Sequence, residues 1–313
     1  MGDVVVVGSR ASALAKTQAR EWLEQVRPML PPGVVFKRRL LTEGGDRDRV
    51  TSTLAEVART TGGSAFSSDQ EAALLAGEVD VIVHSLKDLP TTVADGTVLL
   101  RSPGPREDVR DVLCGASLAT LPQGAIIGTG APRRMAQLRR LRPDVTVVPI
   151  RGNVPTRLRR AGRSGMHAVV LAAAGLNRLG LMPPAGEREV LDPATFLPSP
   201  GQGALGIQVR TGSRAAELLD GTGDVGVDAA ARAERSLLAE LHGGCSVPVG
   251  AWARVEADGL LHLSAAVTSV DGADQVTATG QGPVDAPEKL GAHLAGELIT
   301  KGAVRILERF RAS

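Results

Sequence analysis

The first third of the chain alternates short apolar runs with stretches of helical periodicity. Residues 4–7 are consecutive valines, and residues 34–41 and 79–84 are further runs that predict strands. Between the first two strands, apolar residues at helical spacing predict a helix with one apolar face. These residues are Ala15, Ala19, Trp22 and Val26. A capping-box pattern at residues 68–71 predicts that another helix begins there. Alternating strands and helices are typical of an α/β unit.

Two segments rich in proline and glycine divide the middle of the chain. The first, residues 101–106, predicts a hinge or domain boundary, and the second lies at residues 196–201. Between them the alternation restarts, with Pro132 where a helix would begin. Strands are predicted there at residues 125–128, 145–150 and 168–171. The renewed alternation between the two boundaries indicates a second α/β unit. After the second boundary, residues 203–209 predict one more strand.

The last third has a different pattern. A glycine-rich stretch at residues 221–226 precedes a predicted helix at residues 228–241. Strand-like runs follow at residues 249–255, 260–267 and 275–279, and a leucine-rich helical stretch comes last. This order indicates an α+β module. The predicted fold class is therefore α/β, with two α/β lobes and a smaller C-terminal α+β domain.

The composition narrows the classes of function. Only 2% of the residues are aromatic and none is tyrosine, whereas proteins that bind single-stranded nucleic acid stack bases on aromatic side chains. A protein that contacts only the nucleic-acid backbone stays an open alternative. No apolar run reaches the roughly 18 residues of a membrane span, and the first residues lack the pattern of a signal peptide. We therefore expect a cytoplasmic protein with neither nucleic acid nor membrane as a partner.

Five predicted strand-to-helix turns carry arginine, lysine or hydroxyl side chains. Their members are Arg10 and Ser12; Lys87; Thr129, Arg133 and Arg134; Arg151 and Arg157; and Arg178. Open α/β sheets bind ligands at the carboxyl ends of their strands, and helix N-termini attract anions. Each arginine taken alone is more simply explained as a solvated surface residue, but five equivalent turns favour a ligand with several negative groups. Neither a P-loop nor a dinucleotide fingerprint is present. The negative groups of the ligand can therefore be either carboxylates or phosphates.

Asp88 and Cys245 are candidates for a chemical role, unlike the basic and hydroxyl side chains of these turns. Asp88 follows the third predicted strand, either as a salt-bridge partner or as an acid or base of a reaction, and the nearby His84 is predicted to be a strand-end histidine with its hydrogen bonds satisfied. Two glycines before Cys245 and a proline after it predict a loop, whereas Cys114 is predicted to be a small buried apolar residue. Free thiols are expected in a cytosolic chain, and no metal site is expected.

Eight motifs along the chain resemble those of the porphobilinogen deaminase (hydroxymethylbilane synthase) family, in the family's order. They are GSRASAL (8–14), VHSLKDLP (83–90), REDVRDV (106–112), GTGAPRRMAQL (128–138), RGNVPTRL (151–158), LAAAGLNRLG (171–180), PGQGALG (200–206) and GGCSVPVG (243–250). The last motif, combined with VHSLKD upstream, is highly specific. The resemblance covers essentially the whole chain.

The resemblance implies a monomer with two lobes like those of periplasmic binding proteins and a third domain that presents Cys245. The implied ranges are 1–102 with 199–221 for the first lobe, 103–198 for the second, and 222–313 for the C-terminal domain. It further implies a dipyrromethane cofactor joined to Cys245 through a thioether. The family's reaction joins four porphobilinogen molecules head to tail, with loss of ammonia, and releases hydroxymethylbilane, a step of tetrapyrrole and heme biosynthesis.

The resemblance also assigns roles to the residues of the basic turns. Each pyrrole carries an acetate and a propionate, so these residues are expected to bind carboxylates of the cofactor and substrate. They are Arg10, Ser12, Lys87, Thr129, Arg133, Arg134, Arg151, Arg157 and Arg178. The family's catalytic aspartate falls on Asp88, where a carboxylate would stabilise the positive charge of the electron-poor pyrrole formed when ammonia leaves.

Two segments and one residue depart from the family's motifs. Residues 62–66 (GGSAF) are shorter than GGKGxF and lack its lysine, residues 42–46 (TEGGD) are one residue longer than TxGD, and Ala131 replaces a common serine. A divergent paralogue and a non-catalytic, two-lobed polyanion-binding protein therefore remain alternatives. The second alternative predicts an export signal and requires no cysteine on a loop.

Overall fold

The structure is a computed structural model that describes residues 3–41, 68–163, 165–242 and 247–312. Three features singled out in the sequence lie outside the described residues, namely Cys245 and residues 42–46 and 62–66. The chain divides into two compact units. One consists of Met1–Arg106 and Gly203–Asp228, and the other of Glu107–Gln202 and Ala229–Ser313.

Strands and helices follow one another through both units. The strands are β1 (Val4–Arg10), β2 (Val35–Leu41), β3 (Val81–Ser85), β4 (Thr97–Leu100), β5 (Asp111–Cys114), β6 (Ile126–Gly128), β7 (Thr146–Val148), β8 (Ala168–Ala172), β9 (Arg188–Val190), β10 (Leu205–Arg210), β11 (Val249–Val255), β12 (Leu261–Thr268) and β13 (Gln275–Gly282). The described helices are α1 (Ala13–Val26), α2 (Ser68–Leu75), α3 (Pro132–Leu141), α4 (Val154–Leu158), α5 (Ala173–Arg178), α6 (Arg214–Leu219), α7 (Val225–Glu240), α8 (Pro287–Thr300) and α9 (Ala303–Ala312). Among these, none is long and apolar enough to cross a membrane.

The first unit is built on a five-stranded sheet in the order β2–β1–β3–β10–β4. β1 runs parallel to β2 and β3, and β10 runs antiparallel to β3 and β4. The predicted apolar face of α1 is buried, with Trp22 and Val26 each 2% exposed beside Val5 and Val7 of β1. Burying one such large side chain contributes about 1.5–3 kcal/mol, so this face holds α1 on the sheet.

The second unit contains a sheet of the same arrangement, in the order β7–β6–β8–β5–β9. β6 runs parallel to β7 and β8, and β5 runs antiparallel to β8 and β9. In each sheet an antiparallel strand therefore separates three parallel strands from the far edge. The core includes Leu113, Ile127 and Leu138, and all three are fully buried.

The rest of the second unit is a three-stranded antiparallel sheet, in the order β11–β12–β13, with helices packed on it. Its core includes Leu237 of α7 and Leu294 and Leu298 of α8, each 0% exposed. The turn between β12 and β13 lies against α3, where Arg139 Nη1 donates to the carbonyl of Val270 at 2.9 Å.

The predicted fold class, two α/β lobes with a smaller α+β domain, is confirmed by these three sheets. The predicted strands and the helices α1 and α7 are present with ends shifted by a few residues. Strands β4, β5 and β9, which have four, four and three residues, were not predicted. The division into domains at the stated residue ranges stays a prediction.

Candidate functional site

The carboxyl edge of the first sheet gathers the predicted residues of that unit. β1 and β3 are parallel neighbours, with Gly8 beside Ile82, so Arg10 and Ser85 end their strands at the same edge. Gln18 of α1 donates from Nε2 to Ser85 Oγ at 2.7 Å, which ties the helix to the end of β3. The turns that follow the two strands therefore share one side of the unit.

Ser12 and the turn after β3 present different groups at this edge. Ser12 is the N-cap of α1, and its Oγ accepts from the Ala15 amide at 3.2 Å. Because the oxygen is the acceptor in that bond, the hydroxyl proton is left to be donated to an anion. Lys87 and Asp88 belong to the 3₁₀ turn Leu86–Asp88, where Lys87 is half-buried and Asp88 is exposed.

His84 lies just beneath this edge and is 7% exposed. Its Nε2 is 2.9 Å from Gln208 Oε1, while Gln208 Nε2 donates to Glu71 and Thr97, both at 2.9 Å. Since the Gln208 oxygen must accept, His84 carries its proton on Nε2. Burial lowers the pKa of His84 from 6.5 to about 4, the bond to Gln208 opposes this, and the charge of Arg10 adds to it. His84 is therefore neutral at pH 7, as expected for a satisfied strand-end histidine.

The carboxyl edge of the second sheet is formed by β6, β7 and β8. Gly128 lies beside Val148 on one side and Val169 on the other. Thr129 follows directly and is 1% exposed, with its Oγ1 accepting from the Ala131 amide at 3.2 Å. Ala131 is the N-cap residue of α3, and it supplies no side-chain cap. The loss of the family's serine thus falls on a helix cap.

Arg133 and Arg134 begin α3 and are 4% and 6% exposed. Both guanidinium groups contact one carboxylate, Asp111, with Arg133 Nη1 at 2.8 Å from Oδ2 and Arg134 Nη2 at 2.7 Å from Oδ1. Asp111 is fully buried. Although burial on its own favours the neutral acid, the two guanidinium groups hold the pKa of Asp111 well below its usual range. The three side chains form a buried, charged triad.

Backbone and amide groups surround this triad. Gln202 Nε2 donates to Asp111 Oδ1 at 2.9 Å and to the carbonyl of Val109 at 2.8 Å. Gln137 bonds both backbone groups of Leu197, donating to its carbonyl at 3.0 Å and accepting from its amide at 2.7 Å. Leu197 is therefore held to α3 by two buried hydrogen bonds. Gln202 holds the segment before β10 to Asp111 and to the residue before β5.

Three further predicted arginines lie at the same edge of the second sheet. Arg151 and Arg157 flank the start of α4, Arg178 ends α5, and all three are half-buried. The α4 N-terminus is capped by Asn153, whose side chain accepts from the Thr156 amide at 3.0 Å. Since α4 and α5 have only five and six residues, the arginine side chains are the main attraction for anions here.

The predicted site residues thus fall into two groups, one on each unit. The first comprises Arg10, Ser12, Lys87 and Asp88, and the second comprises Thr129, Arg133, Arg134, Arg151, Arg157 and Arg178. Cys114 is fully buried in the second unit, and burial raises the pKa of its thiol from 9.0 to about 12. Within the described ranges, no group of three or more His, Cys, Asp or Glu residues could hold a metal ion.

Several buried polar residues near these groups were not foreseen from the sequence. Besides Asp111 and Gln208, Glu234 is 0% exposed and accepts from the amides of Gly201 and Ala253 at 2.6 and 2.7 Å. Gln208 has a sequence signal, because it is a single polar residue within an apolar strand, whereas Asp111 and Glu234 each lie next to an arginine and have no such signal. A single polar residue of this kind predicts a buried partner but does not identify it.

Comparison with known proteins gives a consistent result over most of the chain. Residues 5–217 match the family model "Porphobilinogen deaminase, dipyromethane cofactor binding domain", and residues 229–300 match "Porphobilinogen deaminase, C-terminal domain". A porphobilinogen deaminase of Moorella thermoacetica is 43% identical over 98% of this chain and 97% of its own length. One from Thermus thermophilus is 41% identical over 98% and 99%, respectively.

Similarity to solved structures is weaker. The methionine-binding protein MetQ is 12% identical, with a TM-score of 0.41 over 70% of this chain and 89% of that chain. An extracellular-binding protein of a probable amino-acid transporter, ytmK of Bacillus subtilis, is 8% identical, with a TM-score of 0.40 over 71% and 89%.

Proposed function

The chain belongs to the porphobilinogen deaminase family, and from this premise we propose that it polymerises four porphobilinogen molecules into hydroxymethylbilane as a transferase of porphyrin biosynthesis. Full-length identity above 40% to enzymes of that name supports the proposal. The observation that carries it furthest is the set of arginine and hydroxyl side chains at the carboxyl edge of each sheet, where α/β proteins bind their ligands.

A dipyrromethane cofactor fits the chemistry of these side chains. Its acetate and propionate groups are acceptors, and the residues at both edges are donors, chiefly arginines, whose planar fork matches a carboxylate. When bound, the cofactor supplies the pyrrole carbon from which the chain grows and the link to Cys245 through a thioether. The residues proposed to hold its carboxylates and those of the substrate are Arg10, Ser12, Lys87, Thr129, Arg133, Arg134, Arg151, Arg157 and Arg178.

Asp88 is proposed as the catalytic residue. Its carboxylate is exposed at the carboxyl edge of the first sheet, within the same turn as Lys87. There it can accept a pyrrole N–H and stabilise the positive charge that develops on porphobilinogen as its C–N bond breaks and ammonia leaves. It can also take up the proton that the pyrrole carbon loses after the new C–C bond has formed. His84 has no place in these steps because it is buried and neutral.

The proposal extends to the organisation and setting of the protein. The two lobes and the C-terminal domain are assigned to residues 1–102 with 199–221, 103–198 and 222–313, and the gap between the two family matches, residues 218–228, supports the last boundary. A cytoplasmic monomer without nucleic-acid or membrane partners fits a biosynthetic enzyme with a small-molecule substrate.

Cysteine variants test the attachment of the cofactor. The intact mass of the Cys245→Ser protein should equal that of the bare chain, and this protein should be inactive. Cys114→Ser is the matched control, because Cys114 is buried in the core with a raised thiol pKa, and it should keep both the added mass and the activity. Added pyrrole mass on the Cys245→Ser protein would refute the assignment.

A further inference from the structure

The 3₁₀ turn after β3 has apolar residues at both ends and charged residues between them, in the order Leu86, Lys87, Asp88 and Leu89. Leu86 and Leu89 are 3% and 4% exposed, whereas Lys87 is half-buried and Asp88 is exposed. Side chains three positions apart lie on the same side of a 3₁₀ turn. The two leucines are therefore placed to anchor the turn that carries Asp88.

Backbone hydrogen bonds attach this turn to β10, which runs antiparallel to β3. The Leu86 amide donates to the carbonyl of Ala204, just before β10, at 3.1 Å. The Leu89 amide donates back to the carbonyl of Leu86 at 3.1 Å and closes the turn. The position of Asp88 within the unit therefore depends on how the turn packs against β10.

Gly206 of β10 is the residue that both leucine side chains approach. A Cβ atom at this position would lie 3.0 Å from Leu89 Cδ1 and 3.2 Å from Leu86 Cδ1, whereas carbon atoms in van der Waals contact are about 3.5–4.0 Å apart. The φ angle of Gly206 lies outside the left-handed region, so glycine is required here for space and not for backbone conformation. A larger residue would therefore push the turn away from β10.

We propose that Gly206 is a positioning residue for the reaction, because the absence of a side chain lets Leu86 and Leu89 pack on β10 and thereby fixes the place of the Asp88 carboxylate. The inference rests on the proposed function, in which Asp88 is the catalytic residue. Gly206 acts only through the turn. Since displacing a reacting group by about 1 Å can lower a rate roughly 100-fold, a small shift of the turn should be visible in kcat.

Two substitutions at Gly206 test the inference, with porphobilinogen as the substrate. Gly206→Ala adds one methyl group, which the flexible ends of the two leucines accommodate in part, and it should lower kcat by about 3-fold. Gly206→Val suits a strand but exceeds the space, and it should lower kcat by at least about 10-fold. The rate is expressed per molecule that carries the primer mass, so that incomplete loading is not counted as slow chemistry. A parental kcat in Gly206→Val would overturn the inference.

Gly280 of β13 provides the matched control. A Cβ atom there would lie 2.8 Å from Cδ1 of Leu294, a closer approach to a fully buried leucine, but in the C-terminal sheet. Alanine and valine at Gly280 should therefore lower the thermal unfolding midpoint at least as much as the same residues at Gly206, while kcat stays at the parental value. An equal fall in kcat at both positions would show that lost stability alone explains the effect.

A combination with Asp88→Asn shows whether Gly206 acts through Asp88. If valine at position 206 slows the reaction by displacing the carboxylate, it should have little further effect on kcat once that carboxylate has been removed. A purely structural effect would lower kcat by the same factor in the parent and in the Asp88→Asn protein, and this result would overturn the inference.

The parent protein is measured first, because the inference and the proposed function can fail separately. A parent without primer mass and without turnover would refute the proposed function itself. An active parent whose Gly206 variants change only in thermal stability, as the Gly280 variants should, would refute the positioning role alone.

Discussion

Acidification should lower the free energy of unfolding of the first unit, because His84 is buried there in its neutral form. The folded state keeps this imidazole neutral, with its pKa lowered from 6.5 to about 4 by burial. The unfolded chain therefore binds a proton on this residue at a higher pH than the folded chain does. By linkage, the contribution of neutral His84 to the free energy of unfolding is complete above pH 6.5. This contribution is lost as the pH falls toward 4.

The size of the effect follows from the two pKa values. With 6.5 in the unfolded chain and about 4 in the folded protein, the loss reaches about 2 kcal/mol at pH 5 and approaches about 3 kcal/mol below pH 4. The surroundings of His84 cannot rearrange easily to accommodate a protonated imidazole, so this loss of stability is not relieved. Gln208 is held by Glu71 and Thr97 with its oxygen toward His84, and Arg10 adds positive charge nearby.

The assay compares urea unfolding of the parent and His84→Gln proteins at pH 8 and pH 5. Glutamine can still donate to Gln208 but does not titrate, so its protein should lose about 2 kcal/mol less between the two pH values. Other titrating groups are common to both proteins and cancel in the comparison. His293→Gln, at a side chain that is 71% exposed, is the control and should keep the parental slope. Equal slopes in the parent and His84→Gln proteins would refute the reasoning.

Three further substitutions have defined outcomes. Asp88→Asn should lower kcat by roughly 10²–10³-fold while the thermal midpoint barely changes, because Asp88 is exposed; turnover within a few-fold of the parent would mean that the catalytic role lies elsewhere. Glu234→Ala should lower the free energy of unfolding by about 2–6 kcal/mol, since it leaves the buried amides of Gly201 and Ala253 without an acceptor; an unchanged urea midpoint would contradict this. Ala131→Ser should raise stability by about 1 kcal/mol by adding the missing cap to α3, and thermal unfolding without any increase would show that the cap does not form.

The sequence predicted those parts of the fold that depend on local periodicity. The spacing of Ala19, Trp22 and Val26 predicted one buried face of α1, and all three are at most 2% exposed. The run of valines predicted β1 as a buried strand; Val5 and Val7 are buried, but Val4 is 50% exposed. In α1 the helical period alone decides which side chains face the core, so no knowledge of distant residues is needed.

The partners of buried polar residues could not be predicted in the same way. Asp111 is adjacent to Arg110 in the sequence, yet it pairs with Arg133 and Arg134 on α3. Gln208 contacts His84, which is 124 positions away. Two arginines in succession at the start of a helix are typical of a solvated surface, and only the tertiary structure reveals that they are buried. Their roles as ligand-binding residues stay a prediction.

The most direct test of the account is the intact mass of the parent protein before and after brief exposure to limiting porphobilinogen. We expect the mass of the purified protein to exceed that of its chain by two porphobilinogen units, each less one ammonia. Exposure should then produce a ladder of further additions of the same unit, with hydroxymethylbilane released into solution. A protein that has only the mass of its chain, and that gains nothing on exposure to porphobilinogen, would contradict the central claim.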